Sequence, residues 1–507
     1  MSLFVKKSLS QLMATPEEGG GGLKRTLGAG NLVALGIGAI IGAGLFVRTA
    51  AAAGAHAGPA VTLSFIVAAI GCAFAGLCYA EFASIIPIAG SAYTYAYATM
   101  GEIVAWIIGW ALILEYALGA ATVSISWSEY ANNLLGHRIP YEWCHSPMES
   151  VLVNGQHVSG IINIPALVIL LLLSALLIKG TQESATVNTI IVIIKVSIVL
   201  VFIAIGWQFI NPANHTPYLI PADAPAATLP DGSTYSYSGF FNHGWGGVLR
   251  GAGVVFFAFI GFDAVSTAAQ EAKNPKRDMP IGILGSLVVC TILYILFSWV
   301  LTGVAPYQDF MHAGKEASVA YAISHYMQHY AWLSTLVTVA ILAGFSSVIL
   351  VMLLGQSRVF YTMATDGLLP KVFSDLHPKY RTPYKSNMIL FIFVGLFAAF
   401  LPESVAGDLT SIGTLFAFVV VCVGVLILRK KDPNLVRPFK TPWVPVVPVL
   451  GMLICGTMIA SLETRTQLSA LGWMVLGLII YFTYSKSNSK LGNVAEILPS
   501  ATDFEKK

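Results

Sequence analysis

The feature that most restricts this chain is the recurrence of apolar runs about 20 residues long, the length an α-helix needs to cross the hydrocarbon core of a bilayer. They centre near Ile41, Gly71, Glu115, Leu171, Val196, Phe259, Ile292, Ser347, Phe393, Val420, Cys455 and Leu476. No water reaches the backbone there, so each run must satisfy its own hydrogen bonds as a helix. Composition agrees: 56% of the 507 residues are hydrophobic and 10% are charged, against roughly 25% charged in an average soluble domain. The pattern predicts an all-α integral membrane protein of about twelve transmembrane helices. The first thirty residues place Glu17, Glu18 and the Gly19–Gly22 run ahead of any apolar stretch, unlike a cleaved signal peptide.

Charge supplies the orientation. The net charge is +3, and of the 28 Lys and Arg residues 22 fall on one side of the predicted spans, 5 on the other, and Lys195 inside a span. The positive-inside bias puts both termini in the cytoplasm and the long loops at 132–163 and 211–246 outside. Arg48 counts among the outer charges. The boundaries expected are a cytoplasmic segment at 1–30, a core at 31–430, two further helices within 431–484, and a cytoplasmic tail at 485–507. Five cysteines fall in spans and Cys144 alone in an outer loop, so the reading is packing residues without an outer-loop disulfide. No histidine falls in a span. His325 and His329 share i, i+4 spacing, but two surface histidines without further ligands make no metal site.

Two spans are interrupted. GIGAIIGAG, Gly36 to Gly44, puts four glycines in the middle of the first, and FFAFIGFDA, Phe256 to Ala264, puts Gly261 and Asp263 at the centre of the sixth. Glycine is a poor residue for holding a helix. Interrupted spans at corresponding positions of two halves point to an inverted-repeat transporter with its site at the midplane. The glycines then let the chain leave the helix and offer free N–H and C=O groups to a polar ligand. Two other readings compete. Gly38 and Gly42 form GxxxG, a helix-packing motif, and the glycine spacing approaches a dinucleotide loop, which fails because no strand precedes it.

Three ionisable residues lie near mid-membrane: Glu115 in the third span, Lys195 in the fifth and Asp263 in the sixth. With the fifth helix starting near Ser184, Lys195 sits roughly 16 Å along it, about halfway through the core. Such a residue is by default a functional hypothesis, with a structural ion pair as the alternative. Glu81, Glu129 and Glu271 lie near span ends, where hydration or pairing is expected.

Several motifs carry a resemblance: GLCYAEF at Gly76–Phe82, GSAYTYAY at Gly90–Tyr97, GWALILEY at Gly109–Tyr116, FFAFIGFDAVST at Phe256–Thr267, EAKNPKRDMPIGI at Glu271–Ile283 and DGLLPKVF at Asp366–Phe373. From about Leu27 to Tyr484 the chain resembles the cationic amino acid transporter family of the amino acid, polyamine and organocation superfamily. That resemblance implies a LeuT-type fold, with helices one to five and six to ten as inverted repeats and helices 1 and 6 broken. It implies that a substrate carboxylate meets the amides of Gly42, Ala43 and Gly44. The ammonium is then expected at the carbonyls of Ile40, Phe257, Ala258 and Ile260, with the Phe257 ring as a gate. Half-helix ends have the matching polarity. Many relatives carry Ser or Thr where Ala43 stands, so a hydroxyl contact is missing here. AGFSSV, Ala343–Val348, resembles the segment whose hydroxyls, here Ser346 and Ser347, help bind sodium in sodium-coupled members. Lys195 stands at the family's fifth-helix lysine, whose ammonium replaces that ion.

The expectation is a secondary active transporter, proton-coupled in the sense that a carboxylate (Glu115 or Asp263) moving relative to a desolvated lysine switches its charge. Met352, in LVMLLGQSR, stands where animal members carry a small residue, and fills space that a long cationic side chain needs. Neutral L-amino acids such as alanine are therefore favoured, with Glu115 kept as a substrate-binding candidate because it can pair with a guanidinium. The alternative substrates are arginine and lysine, by transport or exchange. A non-transporting amino acid sensor is a further alternative, and an enzyme is disfavoured because neither HExxH nor GxSxG occurs. The implied partners are an amino acid, a proton and the lipid bilayer of the cell membrane. No cofactor, metal or nucleic acid is expected, and a small single-span subunit stays open.

Overall fold

The computed structural model describes residues 4–7, 27–86, 91–179, 185–267, 269, 272–312, 318–380 and 382–491. Ser184, Gly90, Glu271 and the Gly19–Gly22 run, invoked above, lie outside them. Most of the described chain is helical. Seven helices have the length and hydropathy to cross a membrane: Gly44–Ile85, Glu102–Leu134, Thr189–Phe209, Pro275–Val304, Trp332–Thr365, Glu403–Lys431 and Thr464–Asn488. Five shorter apolar helices accompany them: Ala29–Ile40, Ile164–Ile178, Gly244–Phe259, Tyr384–Phe400 and Val446–Ser461. Eleven of the expected centres lie inside these helices, and Ile41 falls at a break.

Burial sorts the helices. Glu102–Leu134 is the innermost, packed between the Ala331–Thr365 and Glu403–Lys431 helices. On its inner faces small residues and hydroxyls replace bulk. Thr122, Ser124, Thr410, Ser411 and Thr414 each donate to the carbonyl four residues back, so helices carry polar side chains in the interior without orphaned donors. The peripheral helices instead expose Leu171, Leu172, Ile193, Ile292, Ile392, Leu453 and Leu471, each more than half exposed. In an aqueous protein such a surface drives aggregation, whereas here it is the face that lipid covers.

The all-α expectation needs one amendment. Two short antiparallel hairpins stand in the long loops, Ser150–Val153 with Gln156–Ser159 and Ala227–Thr228 with Thr234–Tyr235. The first is closed by Asn154-Gly155, a two-residue hairpin signal that the apolar-run reading passes over.

Both interrupted spans are broken where the glycines stand. Ala29–Ile40 ends as Ile41 turns extended, with ψ 106°, and the helix resumes at Gly44. In the sixth span Gly244–Val255 tightens into a 3₁₀ turn at Phe256–Phe259, Ile260 turns extended, and Gly261 adopts φ 110° before Ala264–Thr267. The breaks brace one another. A Cβ on Gly44 would lie 2.1 Å from the Ala258 Cα, and one on Gly261 would lie 2.9 Å from the Ala39 carbonyl oxygen. Each broken segment thus touches the other's backbone through a glycine. Gly36, by contrast, packs on Ser286 of the Pro275–Val304 helix, so helix packing holds for that glycine and ligand access is not its role.

Gly261 should tolerate no side chain, because its φ is closed to L-residues and its neighbour is backbone. Strain of this kind costs about 1–3 kcal/mol, so Gly261→Ala should lower the melting temperature of purified protein. An unchanged melting curve would mean that the two breaks are not in contact.

Candidate functional site

Unwinding leaves donors and acceptors at mid-protein. Among the described residues, the amides of Gly42, Ala43 and Gly44 donate to no backbone or side-chain acceptor, and all three residues are buried. Three adjacent free N–H groups at the start of a helix make an anion site, because they combine unsatisfied donors with the positive end of the helix dipole. Gly42 faces Val348 of the Ala331–Thr365 helix, whose Cγ2 lies 3.1 Å from where a Cβ would stand. Gly44 is held against Ala258 instead, so it serves the closure of the two breaks as well as the amide cluster.

The acceptors have a partner that the sequence reading missed. The Tyr294 hydroxyl lies 2.8 Å from the Ala258 carbonyl oxygen and 3.1 Å from that of Ile40. It has one proton for two acceptors, so one carbonyl is always left for another donor. Phe257 uses its carbonyl to accept from the Ile260 amide at 3.2 Å. Of the four predicted ammonium partners, the structure therefore brings Ile40 and Ala258 onto one hydroxyl and closes Phe257 into a turn. Only the apolar setting of Tyr294, in a helix that looks like plain lipid-spanning sequence, hid it.

Lys195 is buried and donates to the Gly38 carbonyl oxygen at 2.8 Å. Its stem runs beside Gly344, where a Cβ would come 2.9 Å from Cε. The ammonium thus joins the Ala185–Gly206 helix to the last turn before the first break, alongside the helix that carries Ser346 and Ser347. Ser346 donates to Leu342 within its own helix. The buried Ser347 hydroxyl has no hydrogen-bond partner among the described residues.

The carboxylates form a second cluster. Asp263 accepts from Tyr116 at 2.9 Å and from Ser91 at 3.3 Å. Glu115 feels Asp263 electrostatically and has Thr414 beside it, but among the described residues its oxygens accept no well-formed hydrogen bond. Met352 lies between these regions: its sulfur is 3.6 Å from where a Cβ of Gly119 would stand, next to Thr410. The side chain nearest Gly42 from that helix is Val348, one turn earlier.

Arg48 is buried, which the sequence reading does not indicate. Counted as an outer-side charge, it is 1% exposed and lies in the slot left by Gly407, whose Cβ would be 3.0 Å from the guanidinium carbon. It pairs with Asp408 and, at 3.4 Å, with Glu403, and it stands 6.0 Å over the Phe257 ring. At the other end Lys7 pairs with Asp366, which also accepts from Tyr93, while Glu102 accepts from Tyr97, Tyr481 and Ser489. Glu81 and Glu129 are paired, the first with Arg429 and Arg437, the second with His145.

The geometry separates two glycines that the sequence treats alike. Gly42→Val should leave a folded, monodisperse protein that binds no substrate, since Val348 can give way by a few tenths of an ångström. Gly44→Val should fail to fold, because Ala258 backbone cannot. Tyr294→Phe should lower stability by about 1–3 kcal/mol, the cost of a buried unsatisfied polar group, in a thermal melt. Equal behaviour of the two glycine variants would contradict the assignment.

Comparison with known proteins supplies the context. Residues 27–484 match the amino acid permease family. The chain is 44% identical to a branched-chain amino acid permease of Bacillus subtilis over 97% of its own length and 99% of the relative's. It is 39% identical to a methylthioribose transporter of the same organism, with the same coverage. It is 34% identical to a vacuolar cationic amino acid transporter of Arabidopsis thaliana, over 85% of this chain and 68% of that one. The chain belongs to the amino acid permease family.

Proposed function

We propose that this amino acid permease is a proton-coupled secondary transporter that carries neutral L-amino acids through a site built from its two broken helices. The observation that carries the reading is the free amide triplet of Gly42, Ala43 and Gly44, together with the Ile40 and Ala258 carbonyls that share the Tyr294 hydroxyl. A zwitterion matches both poles: its carboxylate takes the amides, and its ammonium takes whichever of Ile40 and Ala258 the tyrosine does not, together with Ile260. Tyr294 can also accept from the ammonium while donating to the other carbonyl. Such a site needs no side-chain charge, which suits a substrate whose own side chain is neutral.

Three features support neutral over cationic substrates. The wall beside Gly42 is Val348, and Met352 fills the space beside Gly119 and Thr410. The two branched-chain permeases among the relatives, at 44% and 33% identity, are named for neutral amino acids. Glu115 and Asp263 serve coupling in this reading, and Phe257, under Arg48, closes the site toward the Glu403 end. This reading includes twelve spans in a LeuT-type 5+5 arrangement, implied by the family resemblance and supported by the two broken helices, with both termini cytoplasmic in the cell membrane, supported by the charge bias.

Coupling is assigned to Lys195. A protonated ammonium bonded to Gly38 holds the first half-helix in place. Loss of its proton weakens that tie, so proton occupancy and the position of the broken helix are linked. In proteoliposomes with an inward pH gradient, alanine or leucine should accumulate without sodium, and Lys195→Ala should abolish accumulation while substrate binding stays measurable. Sodium-dependent uptake indifferent to pH would overturn the coupling assignment.

Arginine should compete poorly against labelled alanine, and several-fold better once Met352→Ser opens the space beside Gly119. Strong competition in both forms would assign the chain to cationic substrates.

A further inference from the structure

A groove of about 570 Å³ lies between the start of the Pro275–Val304 helix and the loop that follows Glu403–Lys431. Lys276 and Arg277 stand at its mouth, and Pro280, Ile281, Leu284 and Phe439 form its apolar floor. Both cations are exposed, and among the described residues neither has an ion-pair partner. Asp278, next along the helix, turns back to accept from the Asn274 amide at 3.1 Å. Arg437, next to the groove-lining Pro438 in the chain, is buried and shares Glu81 with Arg429. Among the described residues, two positive charges thus lack an ion-pair partner in the first turn of a helix, where the backbone already carries positive partial charge.

The apolar floor continues into the surface that lipid covers. Ile281, Val288 and Ile292 follow one another on the same helix face, 40%, 58% and 54% exposed. The loop across the groove holds Val436 and Trp443 at 84% and 82% exposure, as expected of residues anchored at a membrane interface. Its position is fixed, because Thr441 donates its amide to Glu81 and Phe439 donates its own to Ser84. The groove therefore offers cations at one end, an apolar channel behind them, and an open path down a lipid-facing helix.

We propose that the groove binds an anionic phospholipid of the surrounding bilayer, with its phosphate held by Lys276 and Arg277 and one acyl chain laid along Ile281 and Leu284. Basic pockets of this kind between membrane helices recognise anionic head groups. A soluble anion would leave the apolar floor uncovered, and a zwitterionic lipid would bring a cation to the mouth.

The test is native mass spectrometry of delipidated full-length protein titrated with phosphatidylglycerol or phosphatidylcholine of identical acyl chains. Phosphatidylglycerol should be retained preferentially. Each basic residue near an anionic surface contributes roughly fivefold in affinity, so Lys276→Ala with Arg277→Ala should weaken phosphatidylglycerol on the order of 25-fold, leaving phosphatidylcholine unchanged. Lys276→Arg with Arg277→Lys should keep the preference, and an unchanged melting curve for the alanine pair will show that the fold is intact. Glycerophosphoglycerol, which lacks acyl chains, and inorganic phosphate should compete weakly. Equal retention of the two lipids by the wild type, an unaffected alanine pair, or displacement by inorganic phosphate alone would each overturn the proposal.

Discussion

The structure depends on two broken helices that meet through backbone. Gly44 lies against Ala258 and Gly261 against Ala39, and each contact needs the absence of a side chain on one partner. Inside a bilayer an unwound backbone is tolerated only where protein buries it. Here each break is buried by the other, and Tyr294 bonds the carbonyls left between them. Among the described residues, the amides of Gly42, Ala43 and Gly44 at the first break stay without an acceptor, a cluster of donors that a ligand can complete.

Much of this was legible in the sequence because membranes simplify the problem. Apolar runs locate helices, and glycine clusters inside such runs locate breaks. The resemblance then named the half-helix ends. Contacts between distant helices were not legible. Tyr294 sits in an otherwise ordinary apolar span, and nothing local says that it reaches both breaks. Arg48 counts in the sequence only among the outer-side charges, and nothing local says that Gly407, far along the chain, lets it lie buried against the Glu403–Lys431 helix. The roles of Gly36, Gly42 and Gly44 also diverge only in three dimensions, according to whether Ser286, Val348 or Ala258 stands opposite. The Asn154-Gly155 hairpin was not legible for a different reason: its signal is two residues long, against the roughly twenty of a membrane span.

Charge placement ties the two ends to the centre. Lys195 reaches the Gly38 carbonyl on one side of the first break, and Arg48 follows shortly after the other side. The half of the broken helix before the break is thus held by an ammonium, and the half after it by a guanidinium between Glu403 and Asp408. A buried ion pair is strongly destabilised when one partner is removed, so these contacts define discrete closed arrangements and resist gradual loosening. Under the proposed function, transport exchanges one set of polar contacts for another around a backbone site that stays in place.

The central claim is that backbone amides hold the substrate carboxylate and backbone carbonyls, with Tyr294, hold its ammonium. It is tested most directly by comparing, in the purified protein, the affinity of leucine with those of leucinamide, which lacks the carboxylate, and 4-methylpentanoate, which lacks the ammonium. Charge-assisted hydrogen bonds contribute about 1.5–3 kcal/mol each, so removing either group should weaken binding by at least tenfold, and the two analogues should compete with one another for the same site. Leucinamide or 4-methylpentanoate binding as tightly as leucine would contradict the account.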